Sequence, residues 1–211
     1  MGKVALLVLG GSVKKTDVEG AGKFDFVCCA DSGLDTALKL GLIPDIVIGD
    51  MDSVSHEGLE YIKSKDIESI IHPPDKNFTD GELAISHLQK HYLNFSEIKV
   101  LGLTGGRPDH AYGNFLLLKN TKNNIPITAF ADGFLIQSFG KGIHSFVSKP
   151  GATISIFSFK DPAFVKLSNL KFKFEETLYP FSSRCISNIS PDGNFTIEAD
   201  SDILVFIQIR V

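Results

Sequence analysis

The chain has 211 residues, enough for one large domain or two small ones, and an apolar fraction of 43% leaves ample material for a core. Its net charge of −4 gives no bulk attraction for nucleic acid or for an anionic membrane surface. No apolar run is long enough to span a bilayer, and three cysteines, Cys28, Cys29 and Cys185, suit core positions in a reducing, cytoplasmic setting better than a disulfide framework.

Two rhythms divide the sequence. Up to about Asn124, apolar runs alternate with helical stretches, which predicts an α/β unit with a parallel sheet. From Ile125 onward, short apolar runs alternate with turn residues, which predicts an all-β sandwich or barrel. Val4–Leu9 reads as the first strand, with Gly10-Gly11-Ser12 as its turn. Phe26–Ala30 is the next, running into Asp31-Ser32-Gly33 and a helix from about Leu34 to Leu40. Asp31 thus sits at a strand-to-helix junction, either as a helix cap or as a carboxylate beside a nucleotide or metal.

The third strand ends in Ile46-Val47-Ile48-Gly49, and Asp50 and Asp52 share the loop that follows. Like charges about 4 Å apart repel by roughly 4 kcal/mol at an effective dielectric near 20, so a paired Asp-x-Asp invites a cation. Mg²⁺ takes one or two carboxylates plus phosphate oxygens and suits such a loop. His56–Lys65 reads as an exposed helix and Glu68–Ile71 as a strand ended by Pro73-Pro74. Asp75-Lys76-Asn77-Phe78-Thr79-Asp80-Gly81-Glu82 follows, in which Thr79-x-x-Glu82 is a capping box for a helix running to about Tyr92. Asp80 is then either an ordinary first-turn acid or a third carboxylate on the metal.

Ile98–Leu103 reads as a strand that empties into Thr104-Gly105-Gly106-Arg107-Pro108-Asp109-His110, with a helix from about Ala111 to Lys119 beyond. Paired glycines, an arginine and a helix N-terminus form an anion site: free N–H groups point outward and the guanidinium can fork two phosphate oxygens. Asp109 is a fourth acid on that edge, His110 is a phosphate or base contact or simply a helix-start polar residue, and Asn114 lies one turn on. In the β half, Ile127–Ala131 and Phe134–Phe139 flank the turn Asp132-Gly133. Gly142–Val147, Ala152–Phe159, Leu170–Phe174, Asn194–Glu198 and Ile203–Val211 continue the strands. Ser182–Asn188 reads as a polar loop.

Ala30-Asp31-Ser32-Gly33, Gly49-Asp50-Met51-Asp52-Ser53, Asp75-x₃-Thr79-Asp80 and Gly105-Gly106-Arg107-x-Asp109-His110-x₃-Asn114 occur in the order and spacing that resemble the thiamine pyrophosphokinase family. The resemblance implies a Rossmann-like α/β domain (residues 1–124) that binds ATP and Mg²⁺, a thiamine-binding β-sandwich (residues 125–211), and a homodimer with the active site between subunits. It implies transfer of the terminal diphosphate of ATP to the thiamine hydroxyl, giving AMP and thiamine diphosphate. Asp50, Asp52 and Asp80 would hold the metal, and these three with Asp109 would form the catalytic set. Asp31, Gly33, Gly105, Gly106, Arg107, His110 and Asn114 would lie toward ATP. Ser187, Asn188 and Asp75 would lie toward thiamine. Three positions depart from the family pattern. Cys185 stands where glycine is usual, Ile189 follows Asn188 where an acid is common, and a Leu-Pro pair is absent near Phe157-Ser158-Phe159.

Two other readings fit parts of the chain. An apolar strand followed by Asp-x-Asp-Ser-Val also resembles the haloacid-dehalogenase phosphatases, in which Asp50 would be a covalent nucleophile. A nucleotide-sensing module would bind MgATP without consuming it.

Overall fold

A computed structural model describes residues 2–92, 94–119 and 125–209. The boundary expected near Asn124 and the last two residues of the strand expected to reach Val211 lie outside them. The described chain separates into two units, Met1–Asp132 and Gly133–Val211.

The first unit alternates strands and helices: β1 (Lys3–Val8), α1 (Lys15–Ala21), β2 (Phe26–Ala30), α2 (Gly33–Lys39), β3 (Ile46–Gly49), α3 (His56–Lys65), β4 (Glu68–Ile71), α4 (Asp80–His91), β5 (Phe95–Leu101), α5 (Pro108–Leu116) and β6 (Ile127–Ala131). The strands pair in parallel in the order β6-β5-β1-β2-β3-β4. Ala5–Val8 and Ile46–Ile48 are wholly buried, as unbroken apolar runs in a sheet covered on both faces should be. Helix α4 buries Ala84, Ile85 and Leu88, one stripe at helical spacing, and packs on β2 and β3. Helix α1 carries too few apolar residues, Val18 and Ala21, to announce itself in the sequence.

Strand order decides where a ligand can sit. From β1 the chain steps to β2 on one side, whereas β5 lies on the other, so the loops after β1 and β5 leave in opposite directions. That switch point opens a crevice at the carboxyl edge. Backbone bonds from Gly11 N to Gly102 O (3.1 Å) and from Ser12 N to Thr104 O (2.7 Å) knit the two loops together. Glycine is required there, because a Cβ on Gly11 would collide with the carbonyl oxygens of Gly102 and Thr104.

The second unit contains β7 (Phe134–Phe139), β8 (Gly142–Val147), β9 (Ala152–Ser158), β10 (Ala163–Ser168), β11 (Glu175–Leu178), β12 (Asn188–Ser190), β13 (Asn194–Ala199) and β14 (Ile203–Gln208). Two antiparallel sheets, β12-β9-β14-β7 and β11-β10-β13-β8, share one core of Ile154, Ile156, Val165, Phe195, Ile197 and Val205. The strand expected over Leu170–Phe174 is instead a bend between β10 and β11, entered through Asn169 in the left-handed region (φ 61°). The alternation that matters lies upstream, where Ala163, Val165 and Leu167 face the core. No described helix is long and apolar enough to cross a membrane.

Candidate active site

All the site's parts in the first unit hang from carboxyl ends of strands. Asp31 follows β2 in the left-handed region (φ 47°), its N–H still donating to Ile48 O (3.0 Å). Its side chain caps nothing: Ser32 is the cap residue of α2, Asp31 Oδ2 accepts from Ser53 Oγ, and Asp31 Oδ1 is buried without a hydrogen-bond partner. Asp31 is therefore a buried carboxylate and not the cap of α2. Gly33 begins α2 so close to β1 that any Cβ would strike the Val8 carbonyl; its part is to let the helix start there.

Gly49 ends β3 between two acids. A Cβ there would come within 3.0 Å of the Asp31 Cβ and 3.2 Å of Asp80 Oδ1, so the missing side chain is what lets Asp31 and Asp80 approach. Met51 adopts φ 66° and the Asp52 N–H donates to Asp50 Oδ1 (3.2 Å), a tight turn closed by the Asp side chain. One oxygen from each of Asp31, Asp50 and Asp52 lies within 4.8 Å of the others. A hydrogen bond shared with Asp50, and then the Asp50 charge, raise the Asp52 carboxyl, while the hydrogen bond from the Lys76 ammonium lowers Asp50. Lys76 Nζ sits 2.7 Å from Asp50 Oδ2 and 3.1 Å from Asp80 Oδ1.

Asp80 is placed by its cap. Thr79 Oγ1 accepts from Glu82 N (3.2 Å) and Glu82 Oε2 accepts from Thr79 N (2.9 Å), as the spacing predicted. On the far side, Gly105 (φ 91°) and Gly106 (φ 84°) carry the loop into α5, and Asn114, which also lines the crevice, braces the loop by donating from Nδ2 to Leu103 O (3.1 Å). Arg107 forks onto Asp109 (2.6 and 3.2 Å) instead of standing open, and this guanidinium holds the Asp109 carboxyl down to about 2. Asp31, Asp80, Gly105, Gly106, Arg107 and His110 share the lining of one cavity of about 370 Å³. Asp75 is exposed on the loop before α4.

In the second unit, Ser187 adopts φ 56° and its N–H donates to Ser155 Oγ (3.0 Å). Asn188 is buried, and its amide is spent on structure: Oδ1 accepts from Phe172 N (2.9 Å) and Ile189 N (2.8 Å), and Nδ2 donates to Phe172 O (2.7 Å). It pins the β10–β11 bend. Cys185 sits at φ 66°, the left-handed region that glycine takes most readily. Burial pushes the Cys185 and Cys29 thiols up to about 12, so both stay protonated and unreactive at neutral pH.

The residues read from the sequence therefore fall into groups. Asp31 joins Asp50 and Asp52, Asp80 shares Lys76 with Asp50, and Asp109 pairs with Arg107 on the lining of the same cavity as Asp31 and Asp80. Sequence reasoning missed Lys76 and Ser53. Lys76 stands four residues before Asp80, the spacing at which a cation and an acid meet on one helix face, but it precedes the helix and so escaped that rule.

The thiamin pyrophosphokinase catalytic-domain profile matches residues 21–129. Thiamine pyrophosphokinase 2 of Arabidopsis thaliana is 30% identical over 177 residues, covering 79% of this chain and 66% of that protein. Thiamine pyrophosphokinase of Bacillus subtilis is 29% identical over 182 residues, 84% of either chain. The crystal structure of thiamine pyrophosphokinase from Bacillus subtilis superposes with a TM-score of 0.82 at 26% identity, over 98% of this chain and 99% of that one. Profile, relatives and architecture agree with the strand-end motifs: the chain belongs to the thiamine pyrophosphokinase family.

Proposed function

We infer that the protein transfers the terminal diphosphate of ATP to the hydroxyl of thiamine, releasing AMP and thiamine diphosphate. One observation carries the reading. Asp31 belongs to a trio of converging carboxylates and also lines the cavity that the Gly105-Gly106-Arg107 loop closes. Acids and an anion loop on one crevice fit a cation-bound polyphosphate. Family membership supports ATP and thiamine as the substrates. The haloacid-dehalogenase alternative is not favoured, since Asp50 is engaged by Lys76 rather than free to attack a phosphate.

The donor set fits Mg²⁺. Carboxylate oxygens are its preferred ligands, and Asp31 Oδ1 is a buried acceptor without a hydrogen-bond partner. Asp50, Asp52 and Asp31 would hold the ion, with Asp80 alongside. When bound, Mg²⁺ offsets charge on the phosphate oxygens during transfer. The protein's own task is positioning, because phosphoryl-type transfer needs no protein nucleophile. The N–H groups of Gly105 and Gly106 and the N-terminus of α5 would cradle the phosphates, and Arg107 would leave Asp109 to fork onto them. His110 would lie toward the nucleotide. Asn114 would act by keeping the loop in shape. The thiamine hydroxyl must approach the β-phosphorus in line with the departing AMP oxygen. One carboxylate, Asp80 or Asp109, would take the proton of that hydroxyl.

In the finer reading, the first unit forms a Rossmann-like ATP-Mg²⁺ domain and the second a thiamine-binding sandwich. Two copies in the cytoplasm would build each site together, with Ser187 of one copy and Asp75 facing thiamine. Asn188 would shape the Ser187 loop. Incubating the protein with Mg²⁺, ATP and thiamine and following the nucleotides tests the reaction. AMP with thiamine diphosphate is expected. ADP with thiamine monophosphate would mean γ-phosphoryl transfer, and phosphate release without acceptor would mean hydrolysis. Asp52→Asn should reduce turnover by about 100-fold or more while circular dichroism stays unchanged; normal turnover would remove Asp52 from the site.

A further inference from the structure

Lys76 already occupies cation space among the acids. Its ammonium lies 2.7 Å from Asp50 Oδ2 and 3.1 Å from Asp80 Oδ1, and its side chain is only 13% exposed. Asp50 also belongs to the trio with Asp31 and Asp52. It is therefore claimed twice, by the lysine of its own chain and by the dication inferred above. Two cations crowding one carboxylate repel each other, so the claims compete.

We propose that Lys76 is a resident counter-ion that competes with the dication for Asp50, holding Asp50 and Asp80 in the metal-free protein and giving up Asp50 when the ion loads. The proposal rests on the dication reading of the preceding subsection. It explains how acids can be held this close without an ion: the ammonium stands in for part of the missing charge. It also carries a selectivity. A bare dication must displace the ammonium from Asp50 and leave it with Asp80 alone. A dication arriving on a triphosphate brings the anion that receives it. Lys76 thus penalises the free ion more than the nucleotide-bound one, and it acts as a positioning residue through Asp50.

Mn²⁺ alone is the probe, titrated into the nucleotide-free protein by electron paramagnetic resonance. Where an ion-paired state holds about nine-tenths of the molecules, removing it tightens the apparent affinity about tenfold. Lys76→Gln should show a gain of that order, and Lys76→Arg, which keeps the charge, should behave like the wild type. Unchanged or weaker Mn²⁺ binding by the Gln variant, with the wild type binding, overturns the proposal and leaves the dication reading intact. Absence of Mn²⁺ binding in every form overturns both. A second measurement needs no variant: reductive methylation of Lys76, read by peptide mass spectrometry, should rise several-fold when the wild type is saturated with Mn²⁺. Equal or lower labelling overturns the proposal even should Lys76→Gln fail to fold.

Discussion

Asp31 and Asn188 show how far a residue's chemistry departs from its neighbourhood in sequence. Each stands at a junction where a polar side chain could serve either backbone or ligand. Asp31 leaves the backbone uncapped and keeps one buried oxygen without a hydrogen bond, the feature on which its proposed place at the cation rests. Asn188 does the reverse, with three hydrogen bonds to main-chain groups of Phe172 and Ile189. Asn188→Ala should therefore destabilise the protein by about 1–3 kcal/mol, because it removes three hydrogen bonds to partly buried backbone groups, and urea unfolding measures that cost. A mere loss of thiamine affinity at full stability would contradict it. The Arg107–Asp109 pair gives a prediction in pH. The Asp109 carboxyl lies near 2, below its ordinary 3.8, so the folded state favours its ionised form. That contribution is present above the ordinary value and is lost as pH falls toward 2. Thermal midpoints of wild type and Asp109→Asn should differ most above pH 4 and converge near pH 2. Both groups are exposed, so the difference will be small and shrink with salt.

At the scale of elements, what could be read from the chain depended on how loudly each stretch was patterned. The ends of α3, β2, β4 and β6 match their expected spans, because caps, glycines and prolines bound a clear apolar period. Strand β6, expected to open the β half, pairs in parallel with β5 and so belongs with the α/β sheet; pairing partners are invisible to periodicity. Helix α1 is short and polar, and β10 hides behind the Lys160-Asp161-Pro162 turn, so both escaped notice. Of the site, the Asp50–Asp52 loop and the glycine-rich loop were legible, since both chemistry and strand ends are written locally. The closure of Asp31 onto Ser53, and of Lys76 onto Asp50, joins residues 22 and 26 positions apart, a distance that only the fold spans. Thr79 shows an element acting on the site. Thr79→Ala removes the cap of α4 at a cost of about 1 kcal/mol and loosens the turn that carries Asp80. Activity should fall by more than that stability loss explains, with kcat affected more than KM for ATP. Unchanged kcat would separate the cap from the chemistry.

For the whole molecule, a ligand that binds only the folded state raises its stability by mass action, by about 2.7 kcal/mol at one hundred times its dissociation constant. Mg²⁺ with ATP should therefore raise the thermal midpoint of the wild type by several degrees, and Asp52→Asn should lose most of that rise. An equal rise in both would place the ion elsewhere.

The side-by-side register of β1 and β5 runs from Ala5 against Ile98 to Val8 against Leu101. It works as a ruler for the crevice, because the Gly10-Gly11 turn and the Gly105-Gly106 turn are each a fixed number of residues beyond it. Deleting one residue inside β5 would draw the Gly105-Gly106 loop back by about 3.3 Å and turn every side chain behind it to the opposite face. Length changes should therefore be ruinous within these two strands yet harmless in the exposed connection after α3, so natural variation in chain length ought to collect there.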